Sequence, residues 1–307
     1  MTAPPAAPGP KGAADLVLAA IQAMRPKQWA KNVFVLAAIF FSMNFRDVDM
    51  WIATIGAFAA FSMLASSGYL FNDALDVEAD RGHPTKCNRP IAAGRLPLSL
   101  AYVEMAVLFI AGAALAWWIS PWLLLVSMLY FANTMSYTFY FKHVVILDVM
   151  FLSGGFLWRA VAGAVAINVD ISPWLLVCTG FVSLFFGFNK RRGEMALMAE
   201  RAQSTRKILL EYNQEMVVEF QAITTSGTII SYALYCVQGS PSPWLILTLP
   251  FVLYCIFRYI YLVSAHNEGG APDETLFKDK PILVAGLLYG ITVVAVLMLS
   301  TPMAALS

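Results

Sequence analysis

Residues Trp51 to Asp80 read WIATIGAFAAFSMLASSGYLFNDALDVEAD. Uncharged, mostly apolar residues run from Trp51 to Phe71, and then Asp73, Asp76, Glu78 and Asp80 arrive together. About 20 apolar residues in a helix match the hydrocarbon thickness of a bilayer. The stretch reads as a membrane-spanning helix with carboxylates clustered at one end.

The rest of the chain agrees. Of 307 residues, 59% are hydrophobic and 13% charged, with a mean hydropathy of +0.68. Soluble domains carry roughly 25% charged residues, so a soluble fold of this size would lack polar cover. The expected class is an all-α integral membrane protein. A net charge of +1 provides no field for nucleic acid. Cys87, Cys178, Cys236 and Cys255 are scattered, without C-x-x-C or metal-ligand spacing. Residues 1–12, rich in Pro, Ala and Gly, are expected to be disordered and do not read as a signal peptide. Residues 13–307 are expected to form one catalytic domain, opening with a short amphipathic helix at 13–24 that lies on the membrane.

Apolar stretches predict nine spans, at 30–45, 51–71, 98–118, 121–141, 145–167, 172–188, 216–236, 243–263 and 281–300. With the N-terminus inside, all of the 20 lysines and arginines except Arg46, Arg159 and Arg258 fall on the inner side. That asymmetry predicts a multi-pass membrane protein with its chemistry facing the cytoplasm; the membrane expected is the bacterial inner (cytoplasmic) one.

Continuing the second helix at 100° per residue puts Asp73, Asp76 and Asp80 within about 60° of one another, with Asn72 beside them and Glu78 turned away. Three converging carboxylates repel, and a divalent cation offsets the repulsion. Oxygen-only ligands select Mg²⁺ or a similar hard ion, and magnesium completes its shell with waters and phosphate oxygens. His83, Lys86, Arg89 and Arg95 follow within 15 residues of Asp80. Acids for a metal beside bases for phosphate are what a diphosphate site requires. Arg159, a lone charge inside the fifth apolar run, is costly in a membrane and is expected to face a cavity or a partner. Asp148, with Lys142, is expected to shape the rim of the site, too far from Arg159 to pair with it.

These residues resemble the UbiA superfamily of intramembrane prenyltransferases. The resemblance rests on Asn72-Asp73-x-x-Asp76-x-x-x-Asp80, His83-Pro84-x-Lys86-x-x-Arg89-Pro90-x-x-x-Gly94 and the upstream Arg25-Pro26-x-x-Trp29-x-Lys31-Asn32. Further on it includes Tyr137-x-x-x-x-Lys142, Asp148 and Arg159-x-x-x-Gly163. It implies nine transmembrane helices around a central cavity open to the lipid and the cytoplasm. Most of the superfamily carries a second D-x-x-x-D motif after the sixth helix. This chain has Asn189-Lys190-Arg191-Arg192-Gly193-Glu194 there.

In that departure the chain looks like the decaprenyl-phosphate phosphoribosyltransferase branch. The same branch is suggested by Ala199-Glu200-Arg201, by Arg258-Tyr259, and by Pro272-Asp273-Glu274 leading to Lys278-Asp279-Lys280. The resemblance implies phosphoribosyl diphosphate (PRPP) as the soluble donor and a polyprenyl phosphate as the acceptor, for arabinose-donor and cell-envelope synthesis. It implies Mg²⁺ on Asp73, Asp76 and Asp80, with Lys86 and Arg89 on the donor's diphosphate. Lys31, Asn72, Tyr137, Lys142, Arg159, Lys190, Arg191, Glu194 and Arg258 complete the expected substrate-binding set. The bilayer is the expected surrounding, with assembly as a homo-oligomer left open. The competing enzyme reading is a prenyltransferase acting on an aromatic acceptor for quinone or haem synthesis, which wants the second acidic motif. A transporter would explain the spans and Arg159 but not the acids beside a phosphate-type basic loop.

Overall fold

A computed structural model of the chain describes residues 12–42, 44, 46–83, 85–201, 207–266 and 278–300. The predicted disordered segment therefore lies outside the described residues except for Gly12. Pro84, Arg206, Pro272-Asp273-Glu274 and the side chains of Ala199, Glu200 and Arg201 lie outside them too.

The described residues are almost entirely helical. The helices are α1 (Ala13–Ala23), α2 (Ala37–Phe41), α3 (Val48–Leu75), α4 (Val77–Arg81), α5 (Leu98–Ile119), α6 (Pro121–Phe139), α7 (Leu147–Ala166), α8 (Pro173–Arg201), α9 (Gln214–Leu234), α10 (Leu249–His266) and α11 (Lys280–Ser300). Helical structure occurs in each of the nine predicted stretches. Among the described residues, however, only five helical segments are long and apolar enough to cross a membrane: Val48–Leu75, Leu98–Ile119, Leu147–Ala166, Pro243–Ala265 and Lys280–Leu299.

Two boundaries differ from the sequence reading for physical reasons. The stretch predicted as a first span begins as a 3₁₀ helix, Pro26–Leu36, and becomes α-helical only over Ala37–Phe41. Arg25 precedes it in the left-handed region, φ 55°, and Pro26 stands at its start, where a missing N–H costs nothing. The sixth stretch runs on to Arg201 rather than ending near 188. Glu194, Met195, Ala196 and Leu197 are strong helix formers, and Arg191 pairs with Glu194 one turn on. The basic motif is therefore helical.

The described residues fall into two compact units. The first comprises Met1–Ile39, Asp47–Thr138 and Trp158–Val169. Here α3 packs along α5, and the 3₁₀ helix packs on α3. Asp47 caps α3 by accepting the Met50 N–H at 3.1 Å. Ser62 and Ser66 are buried and bond back to carbonyls four residues earlier, so small polar residues let neighbouring segments approach without orphaned groups. Ala19 and Ala23 of α1 pack with Leu70, Ala74, Ile91, Leu96 and Ala101. The opposite face of α1 leaves Val17, Leu18 and Ile21 exposed, as an interfacial helix would. At Gly163 of α7 an added Cβ would lie 2.0 Å from the Val35 carbonyl oxygen. Only glycine lets α7 seat on the 3₁₀ helix.

The second unit comprises Phe40–Arg46, Phe139–Leu157 and Asp170–Ser307. Its main contacts are α8 on α9 and α10 on α11. Gln221, Thr224, Thr228 and Ser231 form a buried stripe on α9, again a small-residue helix seam.

Candidate active site

Asp73 and Asp80 of the first unit are the centre of one polar cluster. Asp73 lies at the end of α3 and is 3% exposed; Asp80 lies on α4 and is equally buried. Arg25 Nη2 donates to both oxygens of Asp73, at 2.5 and 2.8 Å. Arg89 Nη1 donates to Asp73 Oδ1 at 2.9 Å and to Asp80 Oδ2 at 2.6 Å. Lys86 Nζ stands 3.9 Å from Asp80 Oδ1. Arg25 also lies over the Tyr69 ring, 5.0 Å from its centroid.

The helical path does continue beyond α3, since Asp76 N–H bonds to Asn72 O and Asp80 N–H to Asp76 O. Asp76 itself is the joint, with φ −91° and ψ 10°. Its carboxylate accepts from Asn72 Nδ2 at 3.2 Å, while Glu78 turns outward to Arg81. Among the described residues no three His, Cys, Asp or Glu side chains come close enough to hold a metal ion. Arg89 brings Asp73 and Asp80 together, while the Asp76 carboxylate is bonded to Asn72.

The loop carrying Lys86 and Arg89 is structured. Ala93 N–H bonds to Arg89 O, Gly94 N–H to Ile91 O and Leu96 N–H to Pro90 O. Gly94 takes φ 71°, while Ile91, Ala92 and Leu96 bury their side chains. His83 Nδ1 lies within hydrogen-bond range of the Thr85 and Lys86 N–H groups. That is a turn-forming role.

Arg159, 5% exposed, is held by neutral partners in the first unit. Its Nε donates to Asn32 Oδ1 at 2.6 Å and its Nη2 to Tyr130 Oη at 2.9 Å. The guanidinium also lies over the Tyr130 ring, 4.7 Å from its centroid. Asn32 in turn donates to Ser62 Oγ. Trp29 Nε1 donates to Ser66 Oγ, which donates to Met24 O, so the motif around Arg25 is tied to α3. Lys31 and Tyr137 are half-buried in this unit.

The second unit has its own polar cluster, on α7 and α8. Arg191 is 1% exposed. Its Nε lies 2.8 Å from Asp148 Oδ2, a charge contact rather than an aligned hydrogen bond, and its Nη1 bonds to Glu194. Tyr212 Oη donates to Asp148 Oδ1 at 2.6 Å and accepts the Ile146 N–H at 2.8 Å. Burial, reinforced by the bond to Asp148, pushes the Tyr212 phenol well above the ordinary tyrosine range, so it remains a donor at physiological pH. Ile146 has φ 71°, a costly conformation for a β-branched side chain, of order 1–3 kcal/mol. Arg192 donates to Gln221 Oε1 at 2.9 Å. Lys142 and Lys190 are half-buried. Asp148 thus pairs with Arg191.

Arg258, expected at a substrate site, donates to Asp279 at 2.9 Å, and Asp279 caps α11 through the Ile282 N–H at 3.0 Å. The hydrogen bond from Arg258 holds the Asp279 carboxyl below its usual range.

A UbiA-type membrane transferase is the class that this all-helical fold defines: the model of the UbiA prenyltransferase family matches residues 32–278, and the chain belongs to that family. It is 34% identical over 303 residues to the decaprenyl-phosphate phosphoribosyltransferase of Mycolicibacterium smegmatis, covering 94% of both chains. It is 37% identical over 296 residues to the Corynebacterium glutamicum protein of the same name, covering 91% of this chain and 86% of the other. Among solved structures, a UbiA homologue from Archaeoglobus fulgidus with bound GPP and Mg²⁺ superposes with a TM-score of 0.67 at 14% identity. That match covers 92% of this chain and 98% of the homologue. The protein is a multi-pass membrane enzyme of this family.

Proposed function

We propose that this enzyme transfers the 5-phosphoribosyl group of phosphoribosyl diphosphate to a polyprenyl phosphate such as decaprenyl phosphate, releasing pyrophosphate. Its similarity to phosphoribosyltransferases of that name along nearly the whole chain supports the reading. The observation that carries it chemically is the bridging of two buried carboxylates, Asp73 and Asp80, by Arg89. Two carboxylate oxygens lying within 3 Å of one nitrogen form the oxygen-only donor set that suits a hard divalent cation. Asp73 and Asp80 would hold Mg²⁺, with Asn72 and Asp76 beside them, and the ion would neutralise charge on the leaving pyrophosphate.

The protein's own groups then have a positioning task. Arg25, Lys86 and Arg89, now turned to carboxylates, are within reach to take the diphosphate oxygens. An oxygen of the lipid phosphate forms the new bond to ribose C1 as the C1–O bond to pyrophosphate breaks, and that electron pair leaves with pyrophosphate. The phosphate monoester is already anionic near neutral pH, so the attacking oxygen needs no base. Orientation and electrostatics supply the rate. Lys190, in place of a second acidic motif, suits a donor or acceptor richer in negative charge. The arrangement of Lys and Arg along the sequence favours a cytoplasm-facing site in the bacterial inner membrane, in a pathway that makes arabinose donors for the cell envelope.

Purified protein supplied with Mg²⁺, decaprenyl phosphate and ribose-labelled phosphoribosyl diphosphate should move the label into lipid and release pyrophosphate. Prenylation of an aromatic acid, with phosphoribosyl diphosphate ignored, would show that the reaction belongs to the aromatic-acceptor class instead.

A further inference from the structure

Arg191 stands in the middle of the basic motif, yet it is the least accessible of the three cations. Between Asp148 and Glu194, it meets carboxylates rather than an open surface. One turn earlier on the same face of α8, Gly187 permits this contact. A Cβ there would lie 2.5 Å from Val149 Cγ1, so only glycine lets α8 approach the start of α7 closely enough for Arg191 to reach Asp148. Asp148 is in turn fixed from behind by Tyr212, which comes from the segment between α8 and α9. Val149, Phe188, Ile208, Leu209, Tyr212 and Val217 pack as one apolar cluster around this network.

The start of α7 is built to serve the same contact. Leu147 N–H bonds to Val145 O at 2.8 Å, a three-residue turn centred on Ile146 with its positive φ. Such a turn is rare and strained. It persists here because Tyr212 takes the Ile146 N–H, and it aims Asp148 at α8. A buried ion pair is weak evidence for stability, since apolar replacements of similar volume are often as stable. Its use must be sought in geometry.

We propose that Asp148, Tyr212 and Arg191 form a rotational lock on the end of α8, making them positioning residues rather than substrate ligands. On a helix, Lys190 and Arg192 lie about 100° to either side of Arg191. Pinning Arg191 inward therefore sets the direction of both flanking cations, and Gln221 holds Arg192 in the direction so set. The substrate consequence, a correctly aimed Lys190 for an anionic phosphate, rests on the function proposed above. The lock itself does not.

Two readouts separate those claims. Amide exchange across residues 186–196, followed by mass spectrometry without substrate, should accelerate about tenfold or more in Tyr212→Phe and Asp148→Asn, because local opening no longer breaks the network. Unchanged exchange in both variants overturns the lock, whatever the enzyme's substrate. With phosphoribosyl diphosphate as substrate, Tyr212→Phe, Asp148→Asn and Arg191→Gln should each raise KM about tenfold with kcat within about threefold. The double variant Asp148→Asn/Arg191→Gln should be no worse than the weaker single variant, since all act on one path. Arg191→Lys should recover part of the loss. Multiplying effects, with Arg191→Gln far more damaging than Asp148→Asn, would make Arg191 a direct phosphate ligand and refute its positioning role. Accelerated exchange in a wild-type-folded Tyr212→Phe, combined with no turnover of phosphoribosyl diphosphate even by the native protein, would support the lock and defeat the proposed function.

Discussion

Replacing Asp73 by Asn separates the chemical role of the buried carboxylate from its structural one. The side chain keeps its shape but loses its charge, so the contacts with Arg25 at 2.5 and 2.8 Å and with Arg89 at 2.9 Å weaken. Hydrogen bonds to charged groups contribute about 1.5–3 kcal/mol each. An amide oxygen retains part of this, and Arg25 and Arg89, at 27% and 25% exposed, recover hydration. The net cost to stability is therefore about 2 kcal/mol, a shift of a few degrees in thermal midpoint. If Asp73 holds the ion that neutralises the leaving pyrophosphate, turnover should fall by at least about 100-fold, or about 2.7 kcal/mol of barrier. The assay is transfer of labelled phosphoribose to decaprenyl phosphate at saturating Mg²⁺, beside thermal unfolding of the same preparation. Turnover above about a tenth of wild type in folded protein would refute the reasoning, as would losses that merely follow the unfolded fraction.

Three further outcomes follow from the packing. Asn32→Leu removes the acceptor of the Arg159 Nε–H inside an apolar core. It should destabilise by about 3 kcal/mol, read as a lowered thermal midpoint, and Arg159→Met added to it should restore much of the loss. Gly163→Ala would force a methyl group onto the Val35 carbonyl and should cost about 1–3 kcal/mol in the same measurement, with Gly163→Ser no better. Because Arg258 lowers the Asp279 pKa, the stabilisation from this charged cap is present above the unfolded carboxylate pKa of about 3.9. It is lost only as pH falls through the lower folded value. Amide exchange at Ile282 should therefore be flat with pH, after correction for intrinsic rates, down to about 4, whereas Asp279→Asn should accelerate it at neutral pH.

Much of the helical layout was legible because apolar run length is a direct consequence of bilayer thickness. The acid–base composition of the first cluster was legible too, since Asp73, Asp80, Lys86 and Arg89 lie within one short stretch. What could not be read was which groups touch. Helical spacing placed Asp76 with its neighbours, but gave no sign that its carboxylate would take the Asn72 amide while Arg89 bridges Asp73 and Asp80. Arg25 stood in the quoted Arg25-Pro26 motif without any sign that it reaches Asp73, 48 residues on. Tyr212 carried no sequence signal at all, because its bond to Asp148 spans 64 residues. Arg191 looked like one more cation in a basic run, and only its burial distinguishes it from Lys190.

The 3₁₀ winding of Pro26–Leu36 changes how far that segment reaches. At about 2.0 Å of rise per residue, against about 1.5 Å for an α-helix, its 11 residues extend roughly 5.5 Å further than they would as α-helix. That is about one α-helical pitch. Arg25 sits at one end of the drawn-out coil, while Asn32 bonds to Ser62 within it. Over the seven residues from Arg25 to Asn32 the difference is about 3.5 Å, still more than the 2.5–2.8 Å of the Arg25–Asp73 contact. The pitch of one short helix is thus a ruler for the distance between the guanidinium at the site and the arginine anchored in the core.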